Sequence, residues 1–223
     1  MAKLLFDPQV LPVDSVAGET ALPPDRLAAE WLRSRFASPP QWLPEHSSEY
    51  LLRPTMAPAT PASVLLPIVT RAQEPTLLFT QRTAHLTDHA GQVSFPGGRV
   101  EPDDLSAIDT ALRETEEEIG LDRHHVEVLG TLPDYLTATG FRVTPVVSIV
   151  QPPFELKADP FEVEEIFEVP LSFLMNGMNH QRRAAEFPNG AGRRIFYAMP
   201  YERFFIWGAT AGMLRNLFHF LRA

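Results

Sequence analysis

The sequence predicts an α+β fold, an α/β/α sandwich in which a mixed β-sheet carries one helix on each face. Two observations carry this. From residue 61 onward, short runs rich in Val, Ile, Leu, Phe and Thr recur between turn signals, and two segments show the apolar period of a helix. A hydrophobic share of 44% and a charged share of 21% are enough for a substantial core.

The elements follow in order. Nine of the 22 prolines fall in residues 1–60, read as an N-terminal extension that drapes over the main domain, with a flexible arm as the alternative. One helix is expected there, in PPDRLAAEWLRSRFA, where Pro23 and Pro24 suit a helix start and Leu27, Trp31 and Leu32 form the apolar side. Residues 61–223 form the main domain. ASVLLPIVTR and TLLFTQRT read as strands, GQVSFPGG as a short strand closed by Pro and Gly, and Leu105–Ile119 as a helix stopped by Gly120. HVEVLGTLPDYL and FRVTPVVSIV are further strands. RRIFYAMPY, after the Asn189-Gly190 turn, is the second arm of a hairpin, and IWGATAGMLRNLFHFL is a C-terminal amphipathic helix. Glu162, Glu164 and Glu165 fall in an expected loop.

A formal net charge of −9 argues against a nonspecific grip on nucleic acid or an anionic membrane. With no cysteine, disulfides, thiolate catalysis and cysteine zinc sites are removed together; a reducing cytoplasm is the expected location. No apolar run approaches the ~18 residues of a membrane span. Self-association into a homodimer is left open.

The segment RETEEEIG raises the question of chemistry. At 100° per residue, Ile108, Ala111, Leu112, Thr115 and Ile119 form one apolar stripe. Glu114, Glu117 and Glu118 share a side bordering that stripe, and Arg113 stands beside Glu117 at the i,i+4 spacing. A solvated acidic face is the plain alternative. Carboxylates gathered at a core border, two of them where the helix dipole disfavours negative charge, instead suit a hard divalent cation with oxygen ligands. In the preceding FPGG, Gly97 and Gly98 let the backbone come close to a ligand.

From Gly98 to Leu121 the sequence resembles the Nudix hydrolase signature, G-x5-E-x7-R-E-U-x-E-E-x-G-U with U a bulky apolar residue. Gly98, Arg113, Glu114, Glu117, Glu118, Gly120 and Leu121 match. Asp104 stands where glutamate is usual, eight residues rather than seven separate it from Arg113, and Thr115 fills an apolar position. Upstream, LFTQRTAHLTDHAGQVSFPGG is similar to the motif of the coenzyme A pyrophosphatase branch; Thr80, Arg82, Gly91, Phe95, Pro96, Gly97 and Gly98 match, while Thr87 replaces a second arginine. The one-residue-longer loop after Gly98 is itself common in that branch.

The resemblance implies metal-dependent hydrolysis of the pyrophosphate of coenzyme A or a derivative, giving adenosine 3′,5′-bisphosphate and 4′-phosphopantetheine. It implies Mg2+ or Mn2+ held by Glu114, Glu117, Glu118 and the Gly98 carbonyl, with Arg113 fixing Glu117. It makes Arg82 a phosphate ligand, with an ordinary strand-end arginine as the alternative, and places Gly97 and Gly98 against the substrate. Glu162 or Glu165 is the expected additional carboxylate, as base or metal ligand. An ADP-ribose hydrolase and a non-catalytic nucleotide sensor are the competing readings.

Overall fold

A computed structural model describes residues 7–45, 58–85, 90–187 and 192–223; the Asn189-Gly190 turn, Thr87 and His89 lie outside them. The strands are β1 (Val13–Val16), β2 (Thr60–Val69), β3 (Thr76–Arg82), β4 (Val93–Ser94), β5 (Gly97–Arg99), β6 (Val126–Thr131), β7 (Tyr135–Leu136), β8 (Phe141–Val150), β9 (Val163–Pro170), β10 (Gln181–Phe187), β11 (Gly192–Tyr201) and β12 (Phe204–Trp207). The helices are α1 (Ala29–Ala37), α2 (Ala107–Ile119), α3 (Leu171–Leu174) and α4 (Gly208–Arg222).

Among the described residues the strands form two sheets, where one was expected. The larger runs β4-β3-β2-β8-β6, with β5 on β2, β7 on β8 and β9 on β3; the smaller runs β1-β10-β11-β12. Parallel pairing of β2 with β8, from Thr60 opposite Phe141 to Val69 opposite Val150, makes the larger sheet mixed. Neighbouring residues of β2 serve opposite faces, as the two-residue period requires. Leu65 packs with Val146 and Ala111 under α2, whereas Leu66 joins Val147, Leu214 and Phe218 in the main core with α4. A ladder of rings, Phe95–Phe79–Phe167–Phe204, crosses that core with centroids 5.0, 5.6 and 3.5 Å apart and ties the larger sheet to the smaller.

The extension adds β1 to the edge strand β10 and buries Leu22, Leu27 and Leu32 in the main core. Each fully buried leucine is worth roughly 1.5–3 kcal/mol, so apolar burial holds this segment, with the Arg33–Glu127 pair at 2.7 Å beside it.

Two further expectations change. The segment after Glu162 is strand β9 rather than loop, paired with β3 over its length. Helix α4 is buried along almost its whole length rather than on one stripe, because the extension covers its outer side. Arg215, 1% exposed, receives carboxylates from that cover. It donates to Glu19 through Nη1 at 3.1 Å and Nη2 at 2.9 Å, and to Glu45 Oε2 through Nη2 at 3.1 Å. It also donates to His180 Nδ1 at 3.0 Å.

Candidate active site

Helix α2 starts at Ser106, whose hydroxyl accepts the Asp109 N–H at 3.2 Å, so exposed Leu105 lies outside the helix. It ends at Gly120 in the left-handed region, φ 66°. Two carbonyls of the last turn, Glu118 and Ile119, accept from Asp159 and Lys157 at 2.8 Å each. That lacing draws the loop before β9 up to the end of α2. Thr115, the polar residue on the apolar stripe, is buried because its hydroxyl donates back to the Ala111 carbonyl at 2.6 Å.

Arg113 is saturated. Its Nε and Nη2 donate to Asp104 at 2.8 and 3.0 Å, and Nη2 also donates to the Arg99 carbonyl at 3.2 Å. Nη1 donates to Glu114 at 3.1 Å and Glu117 at 3.0 Å. Five N–H groups meet five acceptors, which is all a guanidinium has. Asp104 is anchored in turn by the Glu101 N–H and the Thr110 hydroxyl, each at 2.8 Å. The Arg113 hydrogen bonds hold its carboxyl far below the usual carboxylate range. Asp104, read in the sequence only as a departure from a pattern, stands nine residues before Arg113, and that spacing is what brings the pair together.

The glutamates differ in setting. Glu117 is the exposed one, with its side chain 60% accessible, while Glu114 is 17% and Glu118 4% accessible. Glu118 Oε2 accepts the Gly97 N–H at 3.1 Å. Burial pushes the Glu118 carboxyl up to about 8, against the opposing pull of that N–H and of Arg82. Burial also raises Glu114, with Arg113 pulling the other way. A Cβ built on Gly98 would lie 2.5 Å from both carboxylate oxygens of Glu114, so only glycine leaves room for that group. Gly97, at φ 150°, passes so close to β2 that a Cβ there would lie 2.6 Å from Val64 Cα. These glycines form strand β5 rather than a closing loop, and their pairing with β2 sets the distance to α2.

Arg82, at the end of β3, stands between two carboxylates, with Nη1 3.6 Å from Glu118 and Nη2 3.9 Å from Glu162. Glu162 is placed by its backbone: the Thr83 N–H donates to its carbonyl at 3.0 Å, and its own N–H donates to the Asp159 carbonyl at 3.1 Å. Of the two alternatives Glu162 and Glu165, Glu165 is not at this cluster. It lies opposite Gln81 in the ladder, so its side chain leaves from the other face of the sheet and pairs with Arg203. The register irregularity between Gln81 and Arg82 puts Val163 opposite Arg82, and Glu162 lies just beyond the ladder, within reach of the Arg82 guanidinium. His85 is exposed.

Asp104, Glu114, Glu117, Glu118 and Glu162 thus surround Arg82 and Arg113. No three of the described carboxylates or imidazoles converge as a ready metal shell: Glu114 and Glu117 turn to Arg113, and Glu118 turns to Gly97. The donor set still fits a hard cation. It is all carboxylate, the glycine cradle keeps backbone close to it, and the burial penalty on Glu114 and Glu118 is one that a cation would remove.

The model of the NUDIX domain matches residues 59–187. An uncharacterized Nudix hydrolase of Escherichia coli K12, NudL, is 44% identical over 171 residues, covering 75% of this chain and 88% of its own length. Solved structures are more distant. The MutT protein of Methanosarcina mazei is 22% identical, with a TM-score of 0.44 over 54% of this chain and 83% of its own. The NUDIX domain of Shewanella oneidensis NrtR, solved with ADP ribose, is 20% identical, with a TM-score of 0.41 over 57% of this chain and 84% of its own. The family model spans more than half of the residues, including the whole carboxylate cluster, and a relative at 44% identity covers three quarters of the length: the chain belongs to the Nudix hydrolase family.

Proposed function

We propose that the protein hydrolyses the pyrophosphate of coenzyme A or a derivative, using Mg2+ or Mn2+, with residues 61–223 as the catalytic domain and 1–60 as its docked extension. One observation carries the catalytic part: the carboxylates of half-buried Glu114 and buried Glu118, one helical turn apart, both face the Gly97–Gly98 backbone. The coenzyme A part rests on the stretch from Phe79 to Gly98 and its likeness to that branch.

Glu114, Glu117, Glu118 and the Gly98 carbonyl would hold the ion. When bound, it supplies Lewis-acid polarisation and acidifies water. Asp104 orients Arg113, whose Nη1 engages one oxygen of Glu114 and one of Glu117, leaving the other oxygen of each for the ion. Arg82 offsets charge on a pyrophosphate oxygen beside Glu118 and Glu162. Glu162, 48% accessible, takes up the proton released by the attacking water. Water oxygen bonds to one phosphorus as the bridging P–O bond breaks, giving adenosine 3′,5′-bisphosphate and 4′-phosphopantetheine. No nucleic acid or membrane partner enters this scheme.

Turnover of coenzyme A and of ADP-ribose, side by side with and without Mg2+, tests the reading. Coenzyme A turnover that needs the metal supports it. Preference for ADP-ribose replaces it with the hydrolase alternative, and binding without turnover of either replaces it with the sensor.

A further inference from the structure

We infer that Arg99, held on the face of Phe141, is an anion subsite for a phosphomonoester that the substrate carries apart from its pyrophosphate. On the coenzyme A reading, on which this rests, that group is the ribose 3′-phosphate.

The cations nearest the carboxylates are already engaged. All five N–H groups of Arg113 have acceptors, and Arg82 stands between Glu118 and Glu162. Arg142 faces Asp134 at 3.6 Å, an acid that also accepts from Thr144. Thr87 stands where the resembled motif has a second arginine, so a second phosphate is either held less tightly or met by another cation.

Arg99 differs from all of these. It is exposed and, among the described residues, has no carboxylate at ion-pair distance. Its guanidinium lies 5.3 Å from the centroid of the Phe141 ring. The backbone under it is fixed twice, by pairing with Ala62 of β2 and by its carbonyl, which accepts from Arg113. Phe141 opens β8 opposite Thr60, in the parallel ladder that also holds Ala62. The ring covers one face of the planar cation, restricts its rotamers and leaves N–H edges toward solvent; less entropy is then lost when an anion is fixed there.

Position suits a second phosphate rather than the reacting one. Arg99 follows Gly98, whose backbone lies against the Glu114 carboxylate, so its Cα is about 3.8 Å from that of Gly98. Strand alternation starts its side chain toward the opposite pleat from that carboxylate. A dianion repelled by the acidic cluster meets an unneutralised guanidinium on the Phe141 face of the sheet, one residue along β5 from Gly98.

Calorimetric titration with adenosine 3′,5′-bisphosphate and with AMP tests the subsite directly. The wild-type protein should bind the bisphosphate about tenfold more tightly, as expected for hydrogen bonds to a charged group. Arg99→Gln, which keeps the carbonyl that Arg113 uses, should bring the two affinities within about twofold; Arg99→Lys should keep part of the difference. In turnover, the ratio of kcat/KM for coenzyme A to that for 3′-dephospho-coenzyme A should fall about tenfold in Arg99→Gln. A wild-type preference near one, or a preference that survives Arg99→Gln, overturns the subsite. Failure of the wild type to cleave either coenzyme A form sinks the coenzyme A reading instead, and the titration still decides the subsite.

Discussion

Gly98→Ala separates catalytic geometry from fold stability at one atom. The added methyl would lie 2.5 Å from both oxygens of Glu114, whereas ordinary contact begins near 3.4 Å, so the carboxylate must retreat by about 1 Å. A misplacement of that size costs roughly 100-fold in rate where a catalytic group must be held in position. Stability should barely change. The clash falls on the end of a side chain rather than on backbone, and alanine loses less freedom than glycine on folding. A loss under about 1 kcal/mol corresponds to less than ~4 °C in Tm for a chain of this length. Gly97→Ala should do the reverse, since its methyl would press on the Val64 backbone from a φ of 150°. The assay is kcat/KM for the best nucleoside diphosphate substrate at saturating Mg2+, with Tm followed in parallel. Retention of more than a third of the wild-type kcat/KM in Gly98→Ala would refute the reasoning. So would a further 100-fold loss when Gly98→Ala is added to Glu114→Gln, because the route through Glu114 is then already removed.

Other substitutions test neighbouring claims. Glu114→Gln or Glu118→Gln should remove nearly all turnover while leaving Tm unchanged or slightly higher, since each replaces a carboxylate whose ionised form burial disfavours; more than a tenth of the wild-type rate retained at saturating Mg2+ would take them out of the site. Glu162→Gln should lower kcat by roughly 10²–10⁴ if it is the base, and Glu165→Gln, on the other face with Arg203, should leave kcat near wild type; equal losses would contradict that division. Arg215→Met should destabilise the protein by roughly 3–5 kcal/mol in urea titration, because it strands Glu19 and Glu45 without their cation. Stability should also fall with acid in two overlapping stages. Burial lowers His180 from 6.5 to about 4, so the unfolded chain takes the proton first and this contribution is lost as pH falls through that interval. Arg215 hydrogen bonds hold Glu19 at about 2, and at Glu45 burial is outweighed by hydrogen bonds from His219, Tyr197 and Arg215, again to about 2. Their contribution is lost from pH 4.5 down to about 2, and a Tm profile flat from pH 7 to 3 would exclude both stages.

What the sequence determined by itself lay within single elements. Helix α2, its apolar stripe, the shared side of Glu114, Glu117 and Glu118, the Arg113–Glu117 pair and the Gly120 stop all follow from a 3.6-residue period and local capping chemistry. Nothing nonlocal is needed to read them. The burial of α4 was not legible, because the residues that cover Arg215 come from Glu19 and Glu45, some 170 to 196 positions away. Nor was the second sheet, since β1 is an exposed strand of four residues that exists only where β10 offers it an edge. The choice between Glu162 and Glu165 depended most on tertiary structure. Strand pairing has a period of two, so a one-residue change of register moves a side chain to the other face. That register is set between β3 and β9, including the irregularity after Gln81, and no local pattern in FEVEEIFEV encodes it. Gly98 shows the same limit: glycine was readable as a place of close approach, but it took the packing of β5 against α2 to show that it is the Glu114 carboxylate that approaches.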